Sequence, residues 1–273
     1  MRIGKIHRSR KGSKVLLLAG SACACIAVLV VLLAVTVEID AEPFVAGFEE
    51  GDLAGAEWQM DADRACRIYL SSEYPREGAA AVVIDAPKGR RCELVPRIFP
   101  PVLDKFFREP YGRDRWYEFS VLVRDPGPLP PVGNLGENTV VAQWHASPDP
   151  FLPNQSGRGP PLALRIHDGN WAITFARQPD FISPKKRPEG DWHWVGPVKA
   201  EQWVDWQFRV RWSYGDDGLT EVWRDGQLVM QHRGPNAYND IRGVYIKLGL
   251  YHPTVDTSIL LDRVSITSGA TEQ

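Results

Sequence analysis

From Val244 to His252 the chain reads VYIKLGLYH, a strict two-residue alternation. Val244, Ile246, Leu248 and Leu250 fall on one side, and Tyr245, Lys247, Gly249 and Tyr251 on the other. That period predicts a strand with one buried face. The opposite face offers two phenols, an ammonium and a glycine that leaves space above the sheet. Val140–Ala146 (VVAQWHA) repeats the pattern, with Val141, Gln143 and His145 on one face and Val140, Ala142 and Trp144 on the other. Arg91–Ile98 (RCELVPRI) places Arg91, Glu93, Val95 and Arg97 together. Trp203–Trp212 (WVDWQFRVRW) buries Val204, Trp206, Phe208 and Val210 and exposes Asp205, Gln207, Arg209 and Arg211.

Further strands are predicted around Phe44, over Arg67–Leu70, Ala79–Ile84, Trp116–Val123, Leu162–His167, Trp171–Ala176 and Ile259–Thr267. Asp168-Gly169-Asn170 and Asp225-Gly226 are hairpin signals, because tight turns favour residues that tolerate positive φ. Pro100 and Pro101 stop the Arg91 strand, and Val102–Phe107 is predicted as one helical turn. Long loops are expected over Pro126–Gly136 and Pro148–Pro161. Phe181–Pro197, carrying Lys185, Lys186, Arg187, Trp192, His193 and Trp194, reads either as a lid touching sugar or as a solvated loop. Strands without intervening helices predict an all-β sandwich in one domain, residues 44–268, followed by a tail over 269–273. The 22 Pro, 24 Gly and 10 Trp fit that architecture.

The formal charge of −2 hides an asymmetry. Six of the 32 Lys/Arg lie in residues 1–37, where no acid occurs, leaving 26 basic against 34 acidic residues beyond. Such a body is no general polyanion binder, so an acidic ligand needs a local basic cleft. Val15–Val37 is apolar nearly throughout, longer than a secretory core and long enough to cross a bilayer. With the basic flank 1–14 held in the cytoplasm, residues 15–37 are expected to form a transmembrane signal anchor. Residues 38–43 then link it to a body outside the cytoplasmic membrane. A cleaved signal and a secreted body are the alternative. Glu38–Glu42 (EIDAE) matches a glycosidase carboxylate pattern, but its place in the linker makes it a connector. Cys66 and Cys92 are the only cysteines of the body. In an exported domain they are expected to be bridged, with two buried free thiols as the alternative.

RCEL at Arg91–Leu94, QWH at Gln143–His145 and YIKLGLY at Tyr245–Tyr251 together resemble the β-jelly-roll polysaccharide lyases. That group includes alginate lyases, glucuronan lyase and the heparin lyase I type. The WRDG of Trp223–Gly226 and GPNAYND of Gly234–Asp240 are most similar to the glucuronan and heparin lyase branch. Trp144, and the His252-Pro253 pair after the last tyrosine, depart from the alginate-lyase pattern.

The resemblance implies a concanavalin-like jelly roll that cleaves an acidic, uronic-acid-containing polysaccharide by β-elimination. A base removes the C5 proton, an acid protonates the departing O4, and the adjacent carboxylate is neutralised. By motif, Gln143 neutralises the carboxylate, His145 is the base and Tyr251 the acid, or both. The candidate substrate-binding set is Arg91, Glu93, Arg97, Lys247, Tyr245, Arg165 and Trp192. No cofactor is required. A structural calcium at Glu49 and Asp262, as some family members hold, rests on two carboxylates alone. The body is expected to act as a monomer, without nucleic acid. A non-catalytic lectin-like or laminin-G-like sandwich is the alternative function.

Overall fold

The structure is a computed structural model, described here for residues 43–49, 53, 57–98, 108–124, 138–147, 159–180 and 189–268. The expected anchor, linker and tail, the Val102–Phe107 turn and most of the expected long loops lie outside these residues. Among the described residues no helix is long and apolar enough to cross a membrane.

Among the described residues fifteen strands form two sheets. They are β1 (Phe44–Ala46), β2 (Trp58–Ala62), β3 (Arg67–Ser71), β4 (Ala81–Ala86), β5 (Arg91–Pro96), β6 (Asp114–Val123), β7 (Thr139–Ser147) and β8 (Leu162–His167). The rest are β9 (Asn170–Arg177), β10 (Glu189–Pro197), β11 (Trp203–Arg211), β12 (Leu219–Arg224), β13 (Gln227–Arg233), β14 (Arg242–Tyr251) and β15 (Thr257–Thr267). The back sheet runs β13-β12-β11-β6-β15-β4-β3, with β1 also on β15. The site sheet runs β10-β9-β8-β7-β14-β5-β2. All strand pairs in both are antiparallel.

Alternation decides which residues meet between the sheets. Val204, Trp206, Phe208 and Val210 of β11 are buried, and the residues between them are partly exposed. They face Trp144, Leu164, Trp171 and Ile173 of the site sheet in one apolar core. Trp144 packs 4.6 Å from Phe208 and Trp171 packs 5.3 Å from Trp206, ring centre to ring centre. Each such enclosed side chain contributes about 2–3 kcal/mol. Both predicted hairpins form. Asp168 and Gly169, and likewise Asp225 and Gly226, all have positive φ, as a type I′ turn requires.

Three expectations are corrected. Trp192, His193 and Trp194 lie on a strand, β10, which pairs with β9 at the edge of the site sheet. In β7 the register slips between Val140 and Ala142. The bulge sends Val141 into the core beside Ala142 and Trp144, while Gln143 and His145 keep the other face. Gly249 does not leave room above the sheet. A Cβ there would stand 2.3 Å from the Cys92 carbonyl oxygen, and its φ is +137°. Glycine is required because β5 approaches β14 closely. Cys66 and Cys92 are disulfide-bonded, with Cα atoms 5.7 Å apart.

Candidate functional site

The predicted polar faces meet. Register places Tyr245 opposite His145, Lys247 opposite Gln143, Gly249 opposite Glu93 and Tyr251 opposite Arg91. β8 adds Ala163 beside Gln143 and Arg165 beside Val140, which itself pairs with Tyr251. β2 adds Asp61 opposite Glu93. The intervening residues Cys92, Leu94, Ile246 and Leu248 point into the core, so this set occupies the outer face of the site sheet.

Its floor is enclosed and charged. Gln143, Glu93 and Lys247 are 2%, 2% and 4% exposed. The Gln143 amide donates to Glu93 Oε1. Lys247 Nζ donates to Asp61 Oδ2 at 2.5 Å and stands 3.9 Å from Glu93 Oε2. Arg91 reaches Asp61 at 3.4 Å and Glu93 at 3.5 Å. The Arg91–Glu93 contact attracts as charge but is too long and misaligned to hydrogen-bond, leaving Arg91 Nε and Glu93 Oε2 buried without one. Burial pushes the Glu93 carboxyl up to about 7, against the pull of the Gln143 bond and the Lys247 and Arg91 charges. Burial also acts to raise Asp61. There the Lys247 bond and charge, with Arg91, outweigh it and hold the carboxyl below its ordinary range.

The accessible groups stand around this floor. His145 Nδ1 lies 2.8 Å from the Ala146 carbonyl oxygen. A carbonyl only accepts, so Nδ1 carries the proton and Nε2 keeps its lone pair. Burial lowers the His145 pKa and the Lys247 and Arg91 charges lower it further, against the Ala146 bond. The ring is therefore held neutral, the state a general base needs. Tyr245 is 5.6 Å from the His145 ring and lies under Arg108 at 4.5 Å. Arg91 covers the Tyr251 ring at 4.6 Å. Along the strands the Lys247–Gln143 pair separates the His145–Tyr245 pair from Tyr251, so His145 and Tyr251 stand on opposite sides of that pair.

Arg165 donates from Nε to Thr174 Oγ1 at 2.7 Å and from Nη1 to Asn138 Oδ1 at 2.5 Å. Burial lowers its pKa to about 10. Trp192 lies 5.9 Å from its guanidinium. Arg97 falls one residue beyond β5 and shares no hydrogen bond or ion pair with the network. Its amide donates to the Glu57 carbonyl oxygen at 2.8 Å, one step past the Trp58–Pro96 pair.

Sequence reasoning missed Asp61, Arg108 and His167, and met Trp194 only within the Phe181–Pro197 lid or loop. β2 is an edge strand in which only Trp58 is buried, so it carries no alternation to find. Glu49 and Asp262 meet at one turn. Asp262 accepts amide hydrogens of Arg76, Glu77 and Arg263, and Glu49 accepts that of Ala79. Burial, helped by the Glu49 charge, pushes Asp262 upward. No cluster of three or more His, Cys, Asp or Glu fit for a metal occurs among the described residues. Calcium's six to eight oxygens would therefore come mainly from carbonyls and water.

The described residues thus form a two-sheet sandwich with an imidazole, phenols, an amide and cations gathered on one outer face. A family model described as polysaccharide lyase matches residues 62–266, and the chain belongs to that family. It is an enzyme, a polysaccharide lyase. Family membership sets the lectin alternative behind the lyase. No curated protein matches by sequence. Among solved structures, an endo-β-1,4-glucuronan lyase from the fungus Trichoderma reesei aligns with TM-score 0.65 and 13% identity, over 84% of this chain and 96% of that one. The cellulose-induced protein Cip1 aligns with TM-score 0.53 and 14% identity, over 84% and 99%. At such identity these likenesses establish the fold alone.

Proposed function

We propose that this lyase cleaves a uronic-acid-containing polysaccharide by β-elimination on the outer face of β5, β14 and β7. The observation that carries the reading is the gathering of Arg91, Lys247 and Gln143 beside a neutral histidine and a tyrosine. The chain's net charge is negative, so a local cationic face needs its own explanation, and a sugar carboxylate supplies one.

Gln143 and Arg91 offset the charge that grows on the uronate carboxylate as the C5 proton leaves. His145 Nε2 takes that proton, the C4–O4 bond breaks as the C4–C5 double bond forms, and Tyr251 gives a proton to the departing O4. Glu93 and Asp61 hold Lys247 and Arg91 in place. The test is a panel of glucuronan, alginate and heparin followed by the ultraviolet absorbance of the unsaturated product. Absorbance rising on one polyuronate is expected; binding with no unsaturated ends would favour the lectin reading.

The body acts as a monomer outside the cytoplasmic membrane, anchored through residues 15–37. The Cys66–Cys92 bridge supports an oxidising compartment. The elimination needs no cofactor. A structural calcium between Glu49 and Asp262 would offset the burial and the Glu49 repulsion that raise Asp262. Chelation should then lower the melting temperature, and unchanged melting rejects the ion.

A further inference from the structure

The far edge of the site sheet carries a second cluster. On β10, Trp192 pairs with Thr174 and Trp194 with Ala172. Followed inward, Thr174, Ala163, Gln143 and Lys247 form one row across the sheet. Ala172, Arg165, Val140 and Tyr251 form another. The two indoles thus close the rows that begin at Lys247 and Tyr251. Strands lie about 4.8 Å apart, so four steps set the indoles roughly 19 Å from β14.

Their direction is fixed by their neighbours. Trp171, Ile173 and Phe175 of β9 point into the core, so Ala172 and Thr174, and their partners on β10, face outward. His193, between the two tryptophans, turns the other way, and its Nε2 lies 2.8 Å from the Val229 carbonyl oxygen of the back sheet. The indole rings stack at 5.6 Å and 26°. His167 touches both at 5.5 Å. Trp194 is 49% exposed. Guarding a sheet edge takes only a charge, a proline or a bulge; it does not call for two stacked indoles.

Between this plate and Tyr251 stands Arg165. Its two bonds go to the neutral Thr174 and Asn138. No carboxylate among the described residues pairs with it, whereas Arg91 has Asp61 and Glu93, and Arg115 has Glu109. A desolvated guanidinium without an anion is costly unless an anion arrives.

We propose that Trp192, Trp194 and Arg165 form a distal subsite for a uronic acid residue of the polymer, some units from the bond that breaks. The indoles stack on the apolar face of the sugar and the guanidinium pairs with its carboxylate. This rests on the polyuronate reading of the substrate and adds a reach across β8, β9 and β10.

The test is direct binding, read by tryptophan fluorescence and calorimetry, of hexasaccharides of glucuronate, mannuronate and guluronate, with cellohexaose as the uncharged control. One uronate hexamer binding more tightly than cellohexaose is expected. Trp194→Ala should weaken it by about tenfold or more, the scale of one lost aromatic anchor, and Trp194→Phe should recover part of that. Arg165→Gln should bring the uronate down to the level of cellohexaose. Thermal unfolding of each variant separates lost folding from lost binding, and Trp194→Phe keeps the test valid if the alanine variant does not fold. Wild-type affinity in the Trp194 variants, equal binding of cellohexaose, or no uronate binding at all overturns the subsite. Failure of the lyase reading looks different: hexamers bind and Trp194→Ala weakens them, yet no unsaturated product forms.

Discussion

On the back sheet, Arg209 bonds Asp114 and Glu221, Arg211 bonds Asp114, and Arg76 bonds Asp205. Every member retains solvent, with side chains between 10% and 38% exposed. On the site sheet Arg91 and Asp61 keep 37% and 33% exposure, but the pair beneath them is sunk. Lys247 and Glu93 are 4% and 2% exposed, share partners, and leave polar atoms unbonded. Burial acts on Asp114 too, but the Arg209 and Arg211 bonds and charges outweigh it and lower its pKa. At Glu93 burial wins. The difference separates a solvated lattice of ion pairs from a face whose charges are under electrostatic load. The second kind is where perturbed titrations mark function.

The largest effect should come from the smallest change on the loaded face. Tyr251→Phe removes one hydroxyl and leaves the ring under Arg91. If that hydroxyl transfers the proton, turnover on a cleaved polyuronate should fall by about 10²–10⁴-fold, with melting temperature and hexamer binding kept. Near wild-type turnover would reject Tyr251 and move attention to Tyr245, the phenol opposite His145.

Lys247→Met comes next. It keeps an unbranched side chain but removes the buried one of the two cations that Glu93 and Asp61 share, leaving Arg91. Breaking a buried pair by removing one partner costs about 3–5 kcal/mol. Denaturant unfolding should show that loss. A cost under about 1 kcal/mol would mean the floor behaves like the back sheet.

What could be read from the chain divides along the same line. The β14, β7 and β5 faces and the β11 core were legible because each strand buries one side and so alternates. The two Asp-Gly hairpins were legible because positive φ restricts residue choice. Trp192 could be singled out but not its strand: β10 is an edge whose indoles stay partly exposed, so no buried period marks it. Asp61 was hidden for a related reason, on an edge strand with one buried residue. The β7 bulge was invisible because nothing in VVAQ announces that the adjacent Val141 and Ala142 share a face. Gly249 was legible as special but its cause was not, since the Cys92 carbonyl that forbids a side chain belongs to another strand.

Glu93 should also respond to pH in the direction opposite to the back-sheet carboxylates. Glu93 is raised from 4.5 to about 7, so the folded protein holds that proton more tightly than the unfolded chain. Its contribution is full below about 4.5 and is lost as pH rises through about 7. Asp114 and Asp205 are lowered from 3.8, so theirs is present above that value and lost as pH falls. His145, lowered from 6.5, also contributes above its ordinary value and loses that as pH falls. Comparing wild type with Glu93→Gln isolates the first effect. The stability difference between them should shift by about 1–3 kcal/mol between pH 4.5 and 7, at roughly 1.4 kcal/mol per unit of pKa. A constant difference would show that Glu93 titrates normally.

The smallest effect is expected on the back sheet, and it sharpens the contrast by its size. Arg209→Met removes a cation bonded to Asp114 at 2.6 Å and to Glu221 at 3.1 Å, a more closely bonded arrangement than Arg91 has on the site sheet. Distance alone would set it level with the Lys247 contacts at 2.5 and 3.9 Å. Solvent separates them, since the Lys247 side chain is only 4% exposed. Arg209 and Asp114 are 33% and 23% exposed, water and salt screen their attraction, and Arg211 remains to hold Asp114. Exposed pairs of this kind are worth about 0–1 kcal/mol, and the loss should shrink further as ionic strength rises toward 1 M, where screening acts within about 3 Å. Chemical unfolding of Arg209→Met at low and high salt measures both parts. A salt-independent loss of several kcal/mol would place the back sheet under the same load as the site sheet and remove the electrostatic ground for assigning chemistry to one face.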